Sequence, residues 1–318
     1  MVDSKQQWKA WVYLAPAIIL LLIFTVWPIF NTVRMSLLNG YRGLAAAGGQ
    51  TFEFGFQNFV KVIQYKQFKN CLATTCLLCV ITVPLSSFLA LLIAVCLNSI
   101  RPLRRLLQTI FFLPYVTNTI AIGMVFAAMF NIVGNIAGGD PTNPASTIAT
   151  FGIVNNVIQF FGGTPVNWIN AGSTYWHNMF VVIFYIIWNA LPFKILILLG
   201  GLQSVNKQYY DAAKVDGTSR KRVFFRITVP LLSPMIAYVV ITGFIGGFKE
   251  YSSVVGILGE DMAATGSETT LNTMVGFIYD ALENNNQGRA SAAALILFGI
   301  ILIVTLLNLY VSKKRVHY

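Results

Sequence analysis

The chain has 318 residues, of which 56% are apolar and 10% charged, and carries a net charge of +11. Its mean hydropathy of +0.67 excludes an ordinary soluble domain, in which about a quarter of the residues are charged. The positive charge does not signal nucleic acid either, because the basic residues flank apolar runs instead of gathering in one patch.

Six nearly uncharged runs recur, each long enough to cross ~30 Å of hydrocarbon at ~1.5 Å per residue. They predict an all-α polytopic membrane protein with six transmembrane helices. Span one covers residues 10–33, with Pro16 and Pro28 inside and Trp8, Trp11 and Trp27 near its ends, where amphipathic rings anchor at the interface. Lys5 and Lys9 precede it as in a secretory signal, but the run is long for a signal core and no small-x-small cleavage site follows. It is expected to be retained. In the mixed loop 34–70, FGFQNFVKVIQ predicts a short interfacial helix. Span two (71–97) is followed by the basic turn NSIRPLRRLLQ, and span three (109–133) carries Pro114, Thr117, Asn118 and Thr119. Residues 134–175 form a polar loop without Lys or Arg, in which GIVNNVIQFFG predicts a short amphipathic helix on the bilayer. Span four (176–200), a basic loop, span five (229–256), a polar loop with five acids and one Arg (257–289) and span six (290–311) lead to a tail with Lys313, Lys314 and Arg315. The domain reading is a first helix with its outer loop (1–70), a five-helix core (71–311) and a basic tail (312–318).

Orientation follows from counting. With both termini inside, the inner segments hold 14 Lys or Arg and the outer segments 6, the bias expected of cytoplasmic loops. The weak point is the first outer loop, which holds five of the six. Cys71, Cys76, Cys79 and Cys96 all lie in or beside span two. Without a histidine or a second pair nearby, Cys76 and Cys79 read as small apolar residues and no metal site is expected.

The loop before span five, NKQYYDAAKVDGTSRKRVFFRITVPLLSP, reads as two short helices meeting at a corner. Asn206 caps the first, Gly217 supplies the left-handed residue that ends it, and Ser219 caps the second. Val223, Phe224 and Ile227 share one face before Pro230 and Pro234. Asp211, Ala212 and Ala213 place one acid and two methyl groups where another backbone can approach. The run Arg220, Lys221, Arg222 and Arg226 suits anionic lipid at the inner leaflet.

These residues resemble the EAA motif of permease subunits of bacterial ABC importers: E-A-A, a Gly six places after the Glu, then I-x-x-P. Asp211, Ala212, Ala213, Gly217, Ile227 and Pro230 fill those places. The flanks GLQSVNKQYYDAAKVDG and FFRITVPLLSP look like the sugar-permease branch, similar to maltose and glycerol-phosphate permease subunits. With the order of six spans, the resemblance covers most of the chain. Two positions depart from it: Asp211 stands where Glu is usual, one methylene shorter, and Thr218 replaces a common Ala. The resemblance implies the type I ABC importer permease fold and a coupling motif at 206–230 that docks in a groove of an ATPase subunit. It also implies two ATP-binding cassette subunits, a second permease (identical or homologous), an extracytoplasmic solute-binding protein and a place in the bacterial cytoplasmic membrane. ATP would be bound by those partners, so no cofactor is expected on this chain. The cargo it implies is a sugar or oligosaccharide, with a polyol or glycerol phosphate as the alternative.

The residues themselves offer no chemistry of their own. There is no Gly-Lys pair for a phosphate-cradling loop, and His177 and His317 are the only histidines, far apart. The expectation is a transport subunit and not an enzyme. Polar residues inside spans are candidates for a translocation path, since facing lipid is costly: Asn118, Trp188, Asn189, Glu250 and Tyr251. Rings covering C–H faces and amides or acids meeting hydroxyls would suit a sugar; interhelical packing is the plainer role, and Lys249 with Glu250 could mark the membrane edge. The absence of Lys or Arg from the central portions of the spans favours an uncharged cargo. Gly243 and Gly247 permit close approach by another helix, from this chain or a second subunit. A transporter driven by an ion gradient would want paired acids, and Glu250 is the only acid in any span; a non-transport scaffold is the other rival.

Overall fold

A computed structural model describes residues 7–100, 106, 109–110, 113, 115–133, 150–170, 172–263 and 270–315. In chain order, α1 (Gln7–Leu21), a π-helical turn (Leu22–Val26) and α2 (Trp27–Leu37) follow without a break. Then come α3 (Gly43–Ala47), α4 (Gln57–Gln64), α5 (Lys66–Ser99) and α6 (Thr119–Phe130). A two-residue antiparallel pairing, β1 (Ile132–Val133) with β2 (Thr150–Phe151), precedes α7 (Ile153–Phe160), α8 (Tyr175–Ser204) and α9 (Lys207–Val215). The chain continues with α10 (Arg220–Val223), a second π turn (Phe224–Thr228), α11 (Val229–Leu231), α12 (Ser233–Phe248), α13 (Ser252–Leu258), α14 (Met274–Glu283) and α15 (Gln287–Arg315).

Among the described residues four helices are long and apolar enough to cross a membrane: Trp11–Leu37, Lys66–Ser99, Tyr175–Ser204 and Gln287–Lys313. A fifth crossing arises if Arg220–Leu231 and Ser233–Phe248, bent by 68° from one another, count as one. Of the third span expected from sequence, the structure describes the short apolar α6; residues 101–105, 107–108, 111–112 and 114 lie outside the described residues. Span five departs from the continuous helix expected over 229–256. It bends at Leu232, stops at Phe248 and restarts as α13. Pro234 explains the bend, because its ring and missing N–H do not fit a helix interior and it stands here in the first turn of α12. The two π turns have a common cause. Pro28 and Pro230 each stand two residues beyond one, and the widened turn takes up the carbonyl that the proline ring displaces four residues earlier.

The chain divides into two compact units, Met1–Lys69 with Met274–Ile300, and Asn70–Thr273 with Ile301–Tyr318. In the first, α1 and the start of α2 are mostly apolar and largely exposed, which suits a rod sheathed by lipid; the end of α2, with Ser36 buried, turns into the fold. The turn after α2 is held by Asn58 on α4. Its amide donates to the carbonyls of Ser36 and Leu38 at 2.9 and 2.7 Å, and its oxygen accepts from Gly40 N at 3.0 Å. The start of α15 closes the same turn, with Gly43 N donating to Gln287 Oε1 at 2.8 Å and Gly288 N to Tyr41 O at 2.9 Å. Phe277 of α14 packs against Tyr65 and Phe68. The helix expected from FGFQNFVKVIQ is α4.

Among the described residues of the second unit, two apolar cores stand out. In one, Phe126 of α6 meets Phe184, Tyr185 and Trp188 of α8, and Gly123 and Gly256 bring α6 and α13 together backbone to backbone: a Cβ added at Gly123 would lie 2.8 Å from Gly256 Cα. The other joins Leu91, Ala94 and Leu97 of α5, Leu198 and Leu202 of α8, and Val239 of α12. Gly243 and Gly247 of α12 find their close neighbour within this chain, facing Val83 and Cys79 of α5. Cys79 is buried with its thiol directed at the Phe244 carbonyl at 3.7 Å. The helix expected in GIVNNVIQFFG is α7, where buried Asn155 bonds Val166 N, Val166 O and the Trp168 indole.

Because a Cβ at Gly247 would come within 2.5 Å of Cys79 Sγ, Gly247→Ala should destabilise the purified protein by about 1–3 kcal/mol through overpacking. Cys79→Ala in the same chain should restore most of that loss. Thermal melting of both single variants and the double variant reads the coupling; additive effects would show that the contact is not the cause.

Candidate functional site

Between α8 and α12 the chain leaves the apolar helices and makes an elbow. Its first arm is α9, begun by Asn206, whose side-chain oxygen accepts from Gln208 N at 3.0 Å. Its corner is a Schellman turn: Gly217 N donates to Lys214 O at 3.1 Å and Thr218 N to Ala213 O at 2.9 Å. Gly217 has φ +64°, a conformation that costs a residue with a Cβ about 1–2 kcal/mol. The second arm runs through α10, the π turn and α11. Ser219 stands at its N-cap position with an extended backbone, but its side chain makes no capping hydrogen bond, which corrects the cap expected from sequence. Tyr210 Oη on the first arm donates to Thr228 Oγ1 on the second at 3.4 Å, tying the two together.

The elbow has two sides. Ala213 is buried, and Val223, Phe224, Ile227 and Pro230 are half-buried. Behind the corner a cavity of about 580 Å³ is bounded by Val95 and Asn98 near the end of α5, Leu202 near the end of α8, and Tyr210, Gly217 and Phe224 of the elbow. The other side is open. Asp211 and Ala212 are exposed there, so the two alanines expected to act together face different ways. Asp211 forms an exposed ion pair with Lys214 at 3.4 Å, a contact of small net worth in water that leaves the carboxylate free to exchange partners. Arg220, Lys221, Arg222 and Arg226 are all exposed. Sequence reasoning missed Tyr209 and Val215, which are 55% and 88% exposed on the first arm. Their spacing of three with Ala212 was the available signal for one surface.

The expected path residues do not form one cluster of free polar groups. Asn118 is spent on its own helix: its oxygen accepts from Ile120 N at 2.9 Å and Ala121 N at 3.3 Å as the N-cap of α6. Glu250 similarly accepts from Ser253 N at 3.1 Å in the first turn of α13, and Tyr251 is the N-cap residue of that helix. Trp188 packs against Phe126 and Tyr185. Asn189 is half-buried and makes no side-chain hydrogen bond among the described residues. Asn118 and Glu250 therefore mark two breaks in the helical backbone, and Tyr185 Oη donates to Thr119 O at 2.6 Å beside the first of them.

A further correction concerns charge inside the spans. Lys194 of α8 is buried, and its Nζ donates to Ser86 Oγ at 2.6 Å, Ser87 Oγ at 3.1 Å and Val83 O at 3.4 Å on α5. The central portions are not free of basic side chains, so the charge argument for an uncharged cargo loses its basis. No group of three or more His, Cys, Asp or Glu able to hold a metal occurs among the described residues.

Residues 73–317 match the family described as binding-protein-dependent transport system inner membrane component. The chain is similar to the arabinooligosaccharides transport system permease protein of Bacillus subtilis (strain 168), 28% identical over 95% of this chain and 88% of that protein. It is likewise similar to the lactose transport system permease protein of Rhizobium radiobacter, 28% identical over 96% of this chain and 95% of that protein. In fold it resembles a chain of a bacterial ABC transporter involved in the import of the acidic polysaccharide alginate, with TM-score 0.77 and 21% identity over 98% of this chain and 96% of that one.

Replacing Gly217 by Val should strain and loosen the corner, whereas Gly217→Asn, which tolerates the left-handed region better, should stay near the parent. Hydrogen exchange of the amides of α9 is the measurement: faster exchange in the Val variant only is expected, and equal protection in both would contradict the assigned role of the corner.

Proposed function

The chain belongs to the family of binding-protein-dependent transport system inner membrane components, a multi-pass membrane permease, and from that membership we propose that it is the permease subunit of an ATP-driven importer of a carbohydrate. The observation that carries this reading is the elbow, an outward-facing surface of Tyr209, Ala212 and Val215 mounted on a corner locked by Gly217. Its buried side faces the ends of two long apolar helices across the cavity behind it. Such a part suits a lever. An ATPase subunit gripping the exposed side would move the corner, and Ala213, Phe224 and Ile227 would transmit that movement to α5, α8 and α12. The carbohydrate cargo is supported by the likeness to the arabinooligosaccharides and lactose transport system permease proteins.

In this proposal two ATPase subunits bind the elbows of this chain and of a second permease, identical or homologous, and an extracytoplasmic binding protein delivers the cargo. Both termini and the elbow lie in the cytoplasm, as the distribution of Lys and Arg favours. ATP binding and hydrolysis take place on the partners, and this chain contributes no catalytic group. The basic arm, Arg220 to Arg222 with Arg226, meets anionic lipid at the inner leaflet. Half-buried Asn189, with the rings of Trp188 and Tyr251, provides the polar and aromatic surface that a sugar would need in transit.

In the reconstituted transporter, Gly217→Val should lower ATP-driven uptake and cargo-stimulated ATP hydrolysis together, about tenfold or more. Unimpaired transport in a folded, membrane-inserted variant would overturn the coupling role. Val215→Asp, on the exposed side, should reduce co-purification of the ATPase subunit while leaving the thermal stability of the permease itself unchanged.

A further inference from the structure

Under the proposed orientation, the outer segments hold six Lys or Arg, five of them between residues 34 and 70 and the sixth Arg289. Basic residues there run against the usual bias. The fold shows where three of them go. Arg42, Lys61 and Arg289 line one cup of about 310 Å³ in the first unit, and no acidic residue is among its walls. Nor does any of the three form an ion pair among the described residues. Its volume, at the small end of the range for small-molecule sites, suits one charged sugar unit or headgroup and not a peptide segment.

The cup is built, not accidental. Asn58 at its base has both amide hydrogens and its oxygen committed to the backbone at Ser36, Leu38 and Gly40, so it fixes the wall and has little left for a ligand. Arg289 is held with its guanidinium 5.1 Å from the centre of the Tyr65 ring, a stacking that leaves the edge of the fork, with its N–H donors, free to point elsewhere. Phe52 supplies an apolar wall, steadied by the Tyr41 ring at 5.2 Å, and Gln50 and Asn286 add amides. Three like charges drawn together without a counter-charge repel one another, and an anion entering the cup would relieve that repulsion while accepting charge-assisted hydrogen bonds.

We propose that this cup is an oxyanion site that takes one carboxylate, sulfonate or phosphate group carried by a sugar or by a lipid headgroup. The ring of Phe52 beside two amides favours the sugar-borne form, because a saccharide has C–H faces and hydroxyls to offer around its charge. The outer location rests on the orientation proposed above; the ligand chemistry rests on the cup alone.

The test uses the full-length chain in nanodiscs of neutral phosphatidylcholine, with glucuronate, inorganic phosphate and glucose as probes in titration calorimetry. A parallel arm measures retention of phosphatidylglycerol through purification. Saturable binding of glucuronate or phosphate above that of glucose, weakening as salt rises, is expected and marks a soluble ligand. Retention of phosphatidylglycerol alone marks the lipid source and equally supports the site. In either arm, the exposed double variant Arg42→Gln with Lys61→Gln should weaken binding roughly tenfold or more. Arg289→Lys, which keeps the charge and loses the fork, should weaken it less. Equal binding of glucuronate and glucose with no retained phosphatidylglycerol, or a double variant as strong as the parent, would overturn the proposal. These assays need no ATPase, so their outcome is independent of the elbow variants.

Discussion

In hydrocarbon there is no water to receive a backbone N–H or C=O that a helix has let go. That constraint gives weight to the side chains that answer several of the breaks between helices, a device that the exposed elbow shares. The oxygen of Asn118 takes the first donors of α6, Glu250 takes one from α13, Thr174 takes one from α8 and Asn206 takes one from α9. On α5, Ser86 and Ser87 bond back to the Thr82 and Val83 carbonyls beside Pro84. The same two hydroxyls accept from Lys194. A proline, two serines and a lysine thus make one polar joint between two long helices, in a place where apolar side chains would otherwise meet.

The second unit packs by two different means around that joint. Near α6 and α13 bare backbones touch at Gly123 and Gly256, with a cluster of rings behind them. Near the elbow, leucines and alanines of α5 and leucines of α8 meet Val239 and Ile236 of α12. Close backbone contact resists sliding because neither side has a side chain that can change rotamer. Long aliphatic chains can repack at modest cost. The elbow lies at the more yielding end, where a movement is easiest to pass on.

Much of the molecule is legible in its sequence. Length and apolarity point to the long helices, Asn206 and Gly217 to the beginning and corner of the first arm, and the four-residue spacing of Gly243 and Gly247 to the close approach. The features that escape have identifiable reasons. Span five reads as one apolar run because composition does not report direction, and only the placement of Pro234 warns of a bend. Asn118 and Glu250 stand out as polar residues in apolar surroundings, which is also how a cap inside a broken helix looks. Lys194 is easily passed over in sequence, since its partners are serines more than a hundred positions away in the chain. Ala212 and Ala213 are neighbours in sequence, yet about 100° of helical turn separates them and puts only one against the interior.

The π turn at Phe224–Thr228 bears on more than the fit of Pro230. An α-helix keeps phase, each residue rotating by about 100°, and a wider turn accommodates an extra residue and thereby resets the phase of everything beyond it. The side of the second arm that carries Val223 and Phe224 is thus aligned with α11 through the local winding of the chain. The elbow's aim is stored as an angle in the backbone, and one residue gained or lost within those five would turn it as surely as losing a contact.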